Sequence, residues 1–145
     1  MNISKFTQKS VQAVQDLEKV AYEYGNQEIE EEHLLYTLLT QEDSLILKLI
    51  EKMEIQKEYF IDTVKRALDA RVKVSGGELR FGQYLNKALV SAEDEAKAMG
   101  DEYVSVEHLF LSMLKNPSPS MKKLFNEFGI TRERFLQALS TVRGN

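Results

Sequence analysis

The two histidines of the chain, His33 and His108, are its first candidates for chemistry, because imidazole binds metal ions and acts as a base near neutral pH. Glu30 and His33 form the Glu-x-x-His spacing of di-metal helical bundles, but such a site needs this pair on two helices, and Ser105 stands three residues before His108. We therefore predict a structural role. Ser105 begins a helix, and His108 hydrogen-bonds back to that cap. No metal site is predicted.

Other catalytic motifs are missing from the sequence. It contains no cysteine, no phosphate-binding Gly-x-x-x-x-Gly-Lys-Ser/Thr loop and no Gly-x-Gly-x-x-Gly. A serine or threonine could still meet a histidine in space, since nucleophile–base pairs assemble across a fold. We expect the chain to be no enzyme and to hold no cofactor.

A run of glutamates stands just before the first histidine. A charge run at the head of a helix is usually solvated, so we expect Glu28, Glu30 and Glu31 to be a solvated helix start. Glu32 differs, because it has an equivalent in Glu107. We expect Glu32 and Glu107 to be exposed in the first turn of a short helix, where a carboxylate complements the helix dipole and can bind a guanidinium.

The chain consists of two copies of one unit. A shift of 75 residues aligns residues 6–68 with residues 81–143 without a gap, and 15 of the 63 pairs are identical. Average composition would give roughly 4 identities. The first-copy members of the identical pairs are Phe6, Gln8, Ala13, Glu18, Ala21, Gly25, Glu32, His33, Leu34, Leu39, Lys48, Leu49, Ile55, Glu58 and Phe60.

Each copy is predicted to form four helices, because apolar residues recur at three- and four-residue spacing. The fold class is therefore all-α, with eight helices in two pseudo-symmetric repeats. Gly25 and Gly100 end the long first helices, and Ser44, Ser105 and Thr131 stand at N-cap positions. The predicted helices are residues 4–24, 31–40, 44–52 and 57–70, a second long helix that ends before Gly100, and residues 106–115, 119–127 and 132–142.

We predict one domain over residues 1–145, with repeat 1 at 4–70, a connector at 71–80 and repeat 2 at 81–143. The adjacent glycines of the connector indicate a hinge or loop. Short units are marginally stable alone, so the repeats should pack about a pseudo-twofold axis, with the two long first helices face to face. Near that axis we expect an apolar groove.

Composition narrows the function further. The formal net charge is −4, from 19 basic and 23 acidic residues, which disfavours a nucleic-acid partner. No segment approaches the roughly 20 apolar residues of a membrane helix, so no membrane partner is expected. The absence of cysteine suits a reducing cytoplasm.

Several motifs together are similar to those of a known family. They are residues 6–7, residues 25–35 with their echo at 100–110, the connector residues 73–77 and the Val-Arg-Gly tail at 142–144. The chain resembles, over nearly its whole length, the N-terminal Clp repeat domain of ClpB-type protein disaggregases. The resemblance implies an eight-helix domain that precedes ATPase modules, so the chain looks like an excised domain.

The resemblance also implies a function. Such domains recognise exposed segments of unfolded or aggregated polypeptides and pass them to a hexameric ATPase that works with the DnaK system. ATP and Mg would belong to the ATPase modules, and the isolated domain would be a monomer. Thr7, Asp101 and Glu107 match polar positions for substrate handling in ClpB-type domains.

The alternative is an adaptor- or phosphoarginine-degron-binding domain of a ClpC- or ClpA-type unfoldase coupled to a protease. Glu32 and Glu107 match the two acidic positions that hold the guanidinium of phosphoarginine in ClpC-type domains. The connector and the tail favour the ClpB type. Gly82 replaces Thr7 in the second copy, so the two sites differ chemically.

Overall fold

The computed structural model describes residues 1–143. Gly144, the last residue of the Val-Arg-Gly tail, and Asn145 lie outside the described part. The all-α fold is confirmed. The helices are a 3-10 turn at Ile3–Lys5, α1 (Gln8–Gln15), α2 (Leu17–Glu23), α3 (Glu31–Thr40), α4 (Leu45–Lys52), α5 (Lys57–Asp69), α6 (Gln83–Ala98), α7 (Val106–Lys115), α8 (Pro119–Glu127) and α9 (Arg132–Arg143).

The first predicted helix begins later than expected and is divided. Phe6 is extended, Thr7 caps α1, and the backbone turns at Asp16 between α1 and α2. The equivalent helix of the second copy, α6, runs unbroken. The late start follows from a contact across the molecule, because Phe6 pairs with Val104 instead of continuing the helix.

Two short backbone pairings display the pseudo-twofold symmetry. Strand β1 (Glu28–Ile29) pairs in parallel with β2 (Arg80–Phe81), and Phe6 forms the matching bridge with Val104. Under the 75-residue shift, Ile29 corresponds to Val104 and Phe6 to Phe81. The first phenylalanine of each repeat therefore pairs, through its backbone, with a residue of the other repeat. The two copies are therefore tied to each other through backbone hydrogen bonds.

Helices α3 and α7 contact each other across the axis, and nearly all their residues are buried. The main contacts between repeats join α1 with α7, α3 with α6, and α4 with α7 and α9. We predicted that the first long helices of the two repeats pack face to face. This prediction is wrong, because other helix pairs form the main interface between the repeats. The apolar groove expected near the axis stays a prediction.

The connector is a loop that follows the surface of the first repeat. The backbone N–H of Val74 donates to the Gly25 carbonyl at 2.8 Å, and the Asn26 side-chain amide donates to the Val72 carbonyl at 3.1 Å. Several hydrogen bonds thus hold the segment that its glycines suggested to be a hinge. Within residues 1–143, no helix is long and apolar enough to cross a membrane.

Candidate functional site

Each histidine links the start of a central helix to the glycine turn before it. The Glu30 backbone N–H donates to His33 Nδ1 at 2.9 Å, so the ring proton lies on Nε2, which faces Asn26 Oδ1 at 2.9 Å. In the second repeat, the Ser105 N–H donates to His108 Nδ1 at 2.8 Å. The predicted capping role of the histidines is confirmed.

We call Asn26, Glu32 and His33 the His33 corner, and Asp101, Glu107 and His108 the His108 corner. The two corners are equivalent under the repeat shift. They differ in the group that faces the histidine Nε2. His108 Nε2 contacts a carboxylate oxygen of Asp101 at 2.8 Å, whereas His33 Nε2 contacts the amide oxygen of Asn26. In the described part of the chain, no group of three or more metal-binding side chains is placed to hold an ion.

Burial lowers the pKa of His33 to about 4. Because the folded pKa lies below the usual value near 6.5, the neutral ring stabilises the fold above pH 6.5, and this contribution is lost as the pH falls towards 4. We expect ¹⁵N-detected NMR to show His33 neutral at pH 5.5 with the proton on Nε2. A ring that titrates near pH 6.5 would contradict this environment.

The glutamates expected to be solvated are mostly buried. Glu30 reaches the second repeat, where its Oε1 accepts the Leu85 N–H at 2.8 Å, and Glu31 Oε1 accepts the Ser118 N–H at 2.8 Å. Both therefore satisfy N-terminal groups of helices α6 and α8, which explains why an acid is tolerated there. Glu28 alone of the three keeps substantial exposure. The expectation of a solvated run was wrong because the partners lie more than 50 residues away.

Glu32 and Glu107 are also buried, with 2% and 6% of their surface exposed, so the expectation of exposed acids was wrong. Glu32 Oε2 accepts from Ser120 at 2.7 Å and from Arg71 at 3.1 Å. The Arg71 guanidinium also reaches Glu28 at 3.2 Å. The His33 corner is therefore already occupied by an arginine of the connector.

The His108 corner contacts a different arginine. Arg143, in the last turn of α9, donates to Asp101 at 2.7 Å, and its other nitrogen lies 3.9 Å from Glu107. This guanidinium and the His108 contact hold the pKa of Asp101 below its usual range. The sequence analysis assigned a site role to neither arginine, because Arg143 corresponds to Leu68 in the first repeat and Arg71 lies in the connector.

Thr7 lies at the same end of the molecule as the His108 corner. Its N–H donates to the Val104 carbonyl at 3.0 Å, between Asp101 and Glu107 in sequence, and its hydroxyl accepts the Ser10 N–H at 3.2 Å as the α1 cap. The structure thus groups Thr7, Asp101 and Glu107, and it places Glu32 in the other corner.

Exposed apolar residues that sequence reasoning missed lie on the three segments that meet at the His108 corner. Tyr103 directly precedes the bridge residue Val104, and Val142 directly precedes Arg143. Ile3 lies in the 3-10 turn that ends at Lys5, whose carbonyl accepts the Val104 N–H. The side chains of all three are about half-exposed. An open cleft of about 480 Å³ lies beside Asp101, with two leucines of α9 in its wall. This corner combines apolar surface with carboxylates.

Comparisons with known proteins agree with this fold. The model of the family described as the Clp repeat (R) N-terminal domain matches residues 5–141. The chaperone protein ClpB of Nitratidesulfovibrio vulgaris is 39% identical over 151 residues, with 100% of this chain and 18% of that protein covered. ClpB of Clostridium tetani is also 39% identical, over 150 residues, with 100% and 17% covered. The chain spans less than a fifth of the length of these relatives.

Solved structures share the architecture. The Hsp104 N-terminal domain from Candida albicans has a TM-score of 0.82 at 21% identity and covers 97% of this chain and 92% of its own. A complex of the ClpV N-domain with a VipB peptide has a TM-score of 0.72 at 20% identity, with 95% and 86% covered. The family match is to an N-terminal repeat domain and not to an ATPase module.

Proposed function

Because this chain belongs to the family of Clp repeat N-terminal domains, we propose that it is the substrate-recognition domain of a ClpB-type, ATP-dependent disaggregase. It binds exposed segments of unfolded or aggregated polypeptides and passes them to the ATPase ring of its parent. That parent is a cytoplasmic homohexamer that uses ATP and Mg and works with a DnaK-type system, whereas this domain is monomeric. Similarity to ClpB proteins along the whole chain supports the proposal.

The observation that carries the proposal is the surface of the His108 corner. Ile3, Tyr103 and Val142 expose apolar side chains on the segments that meet there, and Thr7 and Asp101 supply polar groups on the same segments. An unfolded polypeptide offers both apolar side chains and unpaired backbone groups. A surface with both characters can hold such a segment without demanding one sequence.

The affinity should be micromolar or weaker. Each apolar side chain that is fully buried contributes about 1.5 to 3 kcal/mol, and the cost of ordering a flexible partner is subtracted from the total. The exposed apolar residues at this corner are few, so a small number of such contacts is available. Weak binding also suits a domain that must release its substrate to a ring.

NMR titration of the ¹⁵N-labelled domain with a reduced, carboxymethylated polypeptide that cannot refold tests the proposal. We expect chemical shifts to change around Ile3, Tyr103 and Val142. Tyr103→Ser should weaken binding about threefold or more, because an exposed aromatic contact is lost. Tyr22→Ser is the matched control, since Tyr22 is an exposed tyrosine of α2. Equal weakening by both variants, or shifts confined elsewhere, would overturn the assignment.

A second candidate function is recognition of adaptors or phosphoarginine degrons, as in ClpC- or ClpA-type unfoldases. It is favoured by one observation: in each corner a guanidinium already lies against carboxylates, from Arg71 to Glu32 and from Arg143 to Asp101. A phosphoarginine peptide and its unmodified match separate the two functions. This second function requires the phosphorylated peptide to bind more tightly, with shifts at both corners.

A further inference from the structure

Residues 71–74 of the connector, which we call the strap, lie against the His33 corner. The Val74 N–H donates to the Gly25 carbonyl at 2.8 Å, and the Val72 carbonyl accepts from the Asn26 side chain at 3.1 Å. Both hydrogen bonds use the backbone of the strap and do not depend on its side chains. The glycine turn therefore offers a donor and an acceptor to whichever chain lies beside it.

Two basic side chains add charged contacts to the strap. Arg71 donates to Glu32 at 3.1 Å and to Glu28 at 3.2 Å. The Lys73 ammonium donates to the Tyr24 carbonyl at 2.7 Å and lies 5.6 Å from the centre of the Tyr24 ring. Charge-assisted hydrogen bonds are stronger than neutral ones, and near a surface they weaken as salt screens the charges. The cations therefore contribute much of the hold on the strap.

The apolar side chains of the strap are not buried. Val72 and Val74 expose 79% and 41% of their surface, and all residues from 72 to 78 are exposed. The helices around the strap are instead packed through one buried apolar core. A segment with few buried apolar contacts opens at a lower free-energy cost than the core beside it. We therefore expect the strap to leave the corner while both repeats stay folded.

The surroundings of the strap also permit this movement. Gly76 and Gly77 follow the strap with φ of 78° and 87°, and a Cβ at Gly76 would meet nothing within 4 Å. Adjacent glycines can take up a large change of backbone conformation. A cavity of about 450 Å³ is lined by strap residues, by residues 26–28 and by Arg80. The strap is therefore not tightly packed over the glycine turn.

The buried acid that Arg71 contacts is satisfied on one side only. Oε2 of Glu32 accepts from both Arg71 and Ser120, whereas its Oε1 is buried and has no hydrogen-bond partner in the described chain. Arg71 gives Glu32 a single nitrogen, because its other nitrogen contacts Glu28. A guanidinium that donates with two nitrogens to one carboxylate forms the stronger, bidentate pair. A guanidinium without the constraint of the connector would therefore compete with Arg71.

We propose that the strap is autoinhibitory: it occupies the His33 corner, and it must be displaced before a basic segment of an unfolded substrate polypeptide binds there. The substrate backbone takes over the hydrogen bonds at Gly25 and Asn26, and its arginine or lysine side chain takes the place of Arg71 at Glu32. The carboxylates of the corner match a basic segment and repel an acidic one. This inference rests on the proposed function and adds a second, regulated place of binding.

The tether of the strap explains how a weak contact can inhibit. A segment that belongs to the same chain competes at a high effective concentration, whereas a substrate must arrive from solution. The apparent affinity of the corner is reduced to the fraction of molecules in which the strap is open. Weakening the strap should therefore raise the affinity without any change at the glycine turn.

The double variant Arg71→Gln with Lys73→Gln tests the strap, because it removes both cations and keeps the backbone. The probe is a synthetic peptide with the sequence of residues 69–76. We expect this peptide to bind the ¹⁵N-labelled double variant about tenfold more tightly than the wild type, with shifts at residues 24–33. The same peptide with glutamine for its arginine and lysine should bind about tenfold more weakly. The Val74 amide should also exchange with solvent faster in the variant.

A matched control removes two cations elsewhere. Lys65→Gln with Lys87→Gln changes the net charge by the same amount at exposed positions of α5 and α6, and it should bind the peptide as the wild type does. Lys73→Gln alone leaves Arg71 on the buried acid and contacts only backbone carbonyls of the fold. It should shift the affinity in the same direction by a smaller factor, and it serves as the test if the double variant does not fold.

Equal affinity of the peptide for the wild type and for the strap variants would overturn the inference, as would equal gains in the control. If the unfolded polypeptide still binds at Tyr103 in that case, the proposed recognition function stands without the strap. Loss of that binding with a positive peptide result would instead overturn the proposed function, and with it the substrate as the occupant. Concentration-dependent dimerisation of the wild type would show that straps exchange between copies, which also contradicts a substrate site.

Discussion

Gly82→Thr should destabilise the domain by about 2 to 4 kcal/mol, because the new side chain collides with a buried carboxylate. A Cβ at residue 82 would lie 2.3 Å from the Glu30 carboxyl carbon. Glu30 would have to move, and its hydrogen bond to the Leu85 N–H at the start of α6 would be lost. Urea unfolding measures the change, and the melting temperature should fall by roughly 5 to 15 °C.

The pseudo-symmetry supplies the control for this variant. The first copy has Thr7 where the second has Gly82, and Ser105 stands where the first repeat has Glu30. The double variant Gly82→Thr with Glu30→Ser therefore reproduces the Thr7–Ser105 pair of the equivalent junction between the repeats. Its free energy of unfolding should be at least about 1 kcal/mol higher than the sum of the two single effects predicts. Thr7→Gly should cost less than about 1 kcal/mol, since only a cap is lost. Additive single effects would show that Gly82 and Glu30 are not coupled.

Glu31→Gln should stabilise the domain above pH 8 and have little effect near pH 4.5. Burial raises the pKa of Glu31 to about 8, and its second carboxylate oxygen has no hydrogen-bond partner in the described chain. Because the pKa of Glu31 is higher in the folded than in the unfolded state, the protonated side chain stabilises the fold fully below the unfolded pKa. This contribution is lost as the pH rises through 8. The gain at pH 9 should be about 2 to 4 kcal/mol.

Chemical denaturation of both proteins from pH 6.5 to 9 measures this effect in a window above the His33 titration. The amide of the variant keeps an oxygen for the Ser118 N–H, and the adjacent acids Glu30 and Glu32 remain in place. The wild-type stability should fall over this range while the variant changes less. Parallel curves for the two proteins would show that Glu31 ionises without cost and that its buried environment is misassigned.

The sequence by itself determined the helices, the duplication and the local caps. Helices α3, α7 and α8 have the predicted bounds, the prediction of a histidine bonded back to its helix start holds in both repeats, and Gly25 and Gly100 close their helices with positive φ. These features depend on residues within about four positions of each other, so the spacing of residue types is enough to reveal them. The 75-residue shift then implied that whatever one copy does locally, the other repeats.

Only the tertiary structure decided which charges are buried and which arginine each corner contacts. The partners of Glu30 and Glu31 lie 55 and 87 residues away, and the two partners of Glu32 lie 39 and 88 residues away. The first long helix starts late because Phe6 pairs with Val104. An acidic run has the same sequence pattern whether it faces water or the helix starts of another repeat. Its burial is decided by packing, because helix N-termini brought close in space supply the donors that make a buried carboxylate stable.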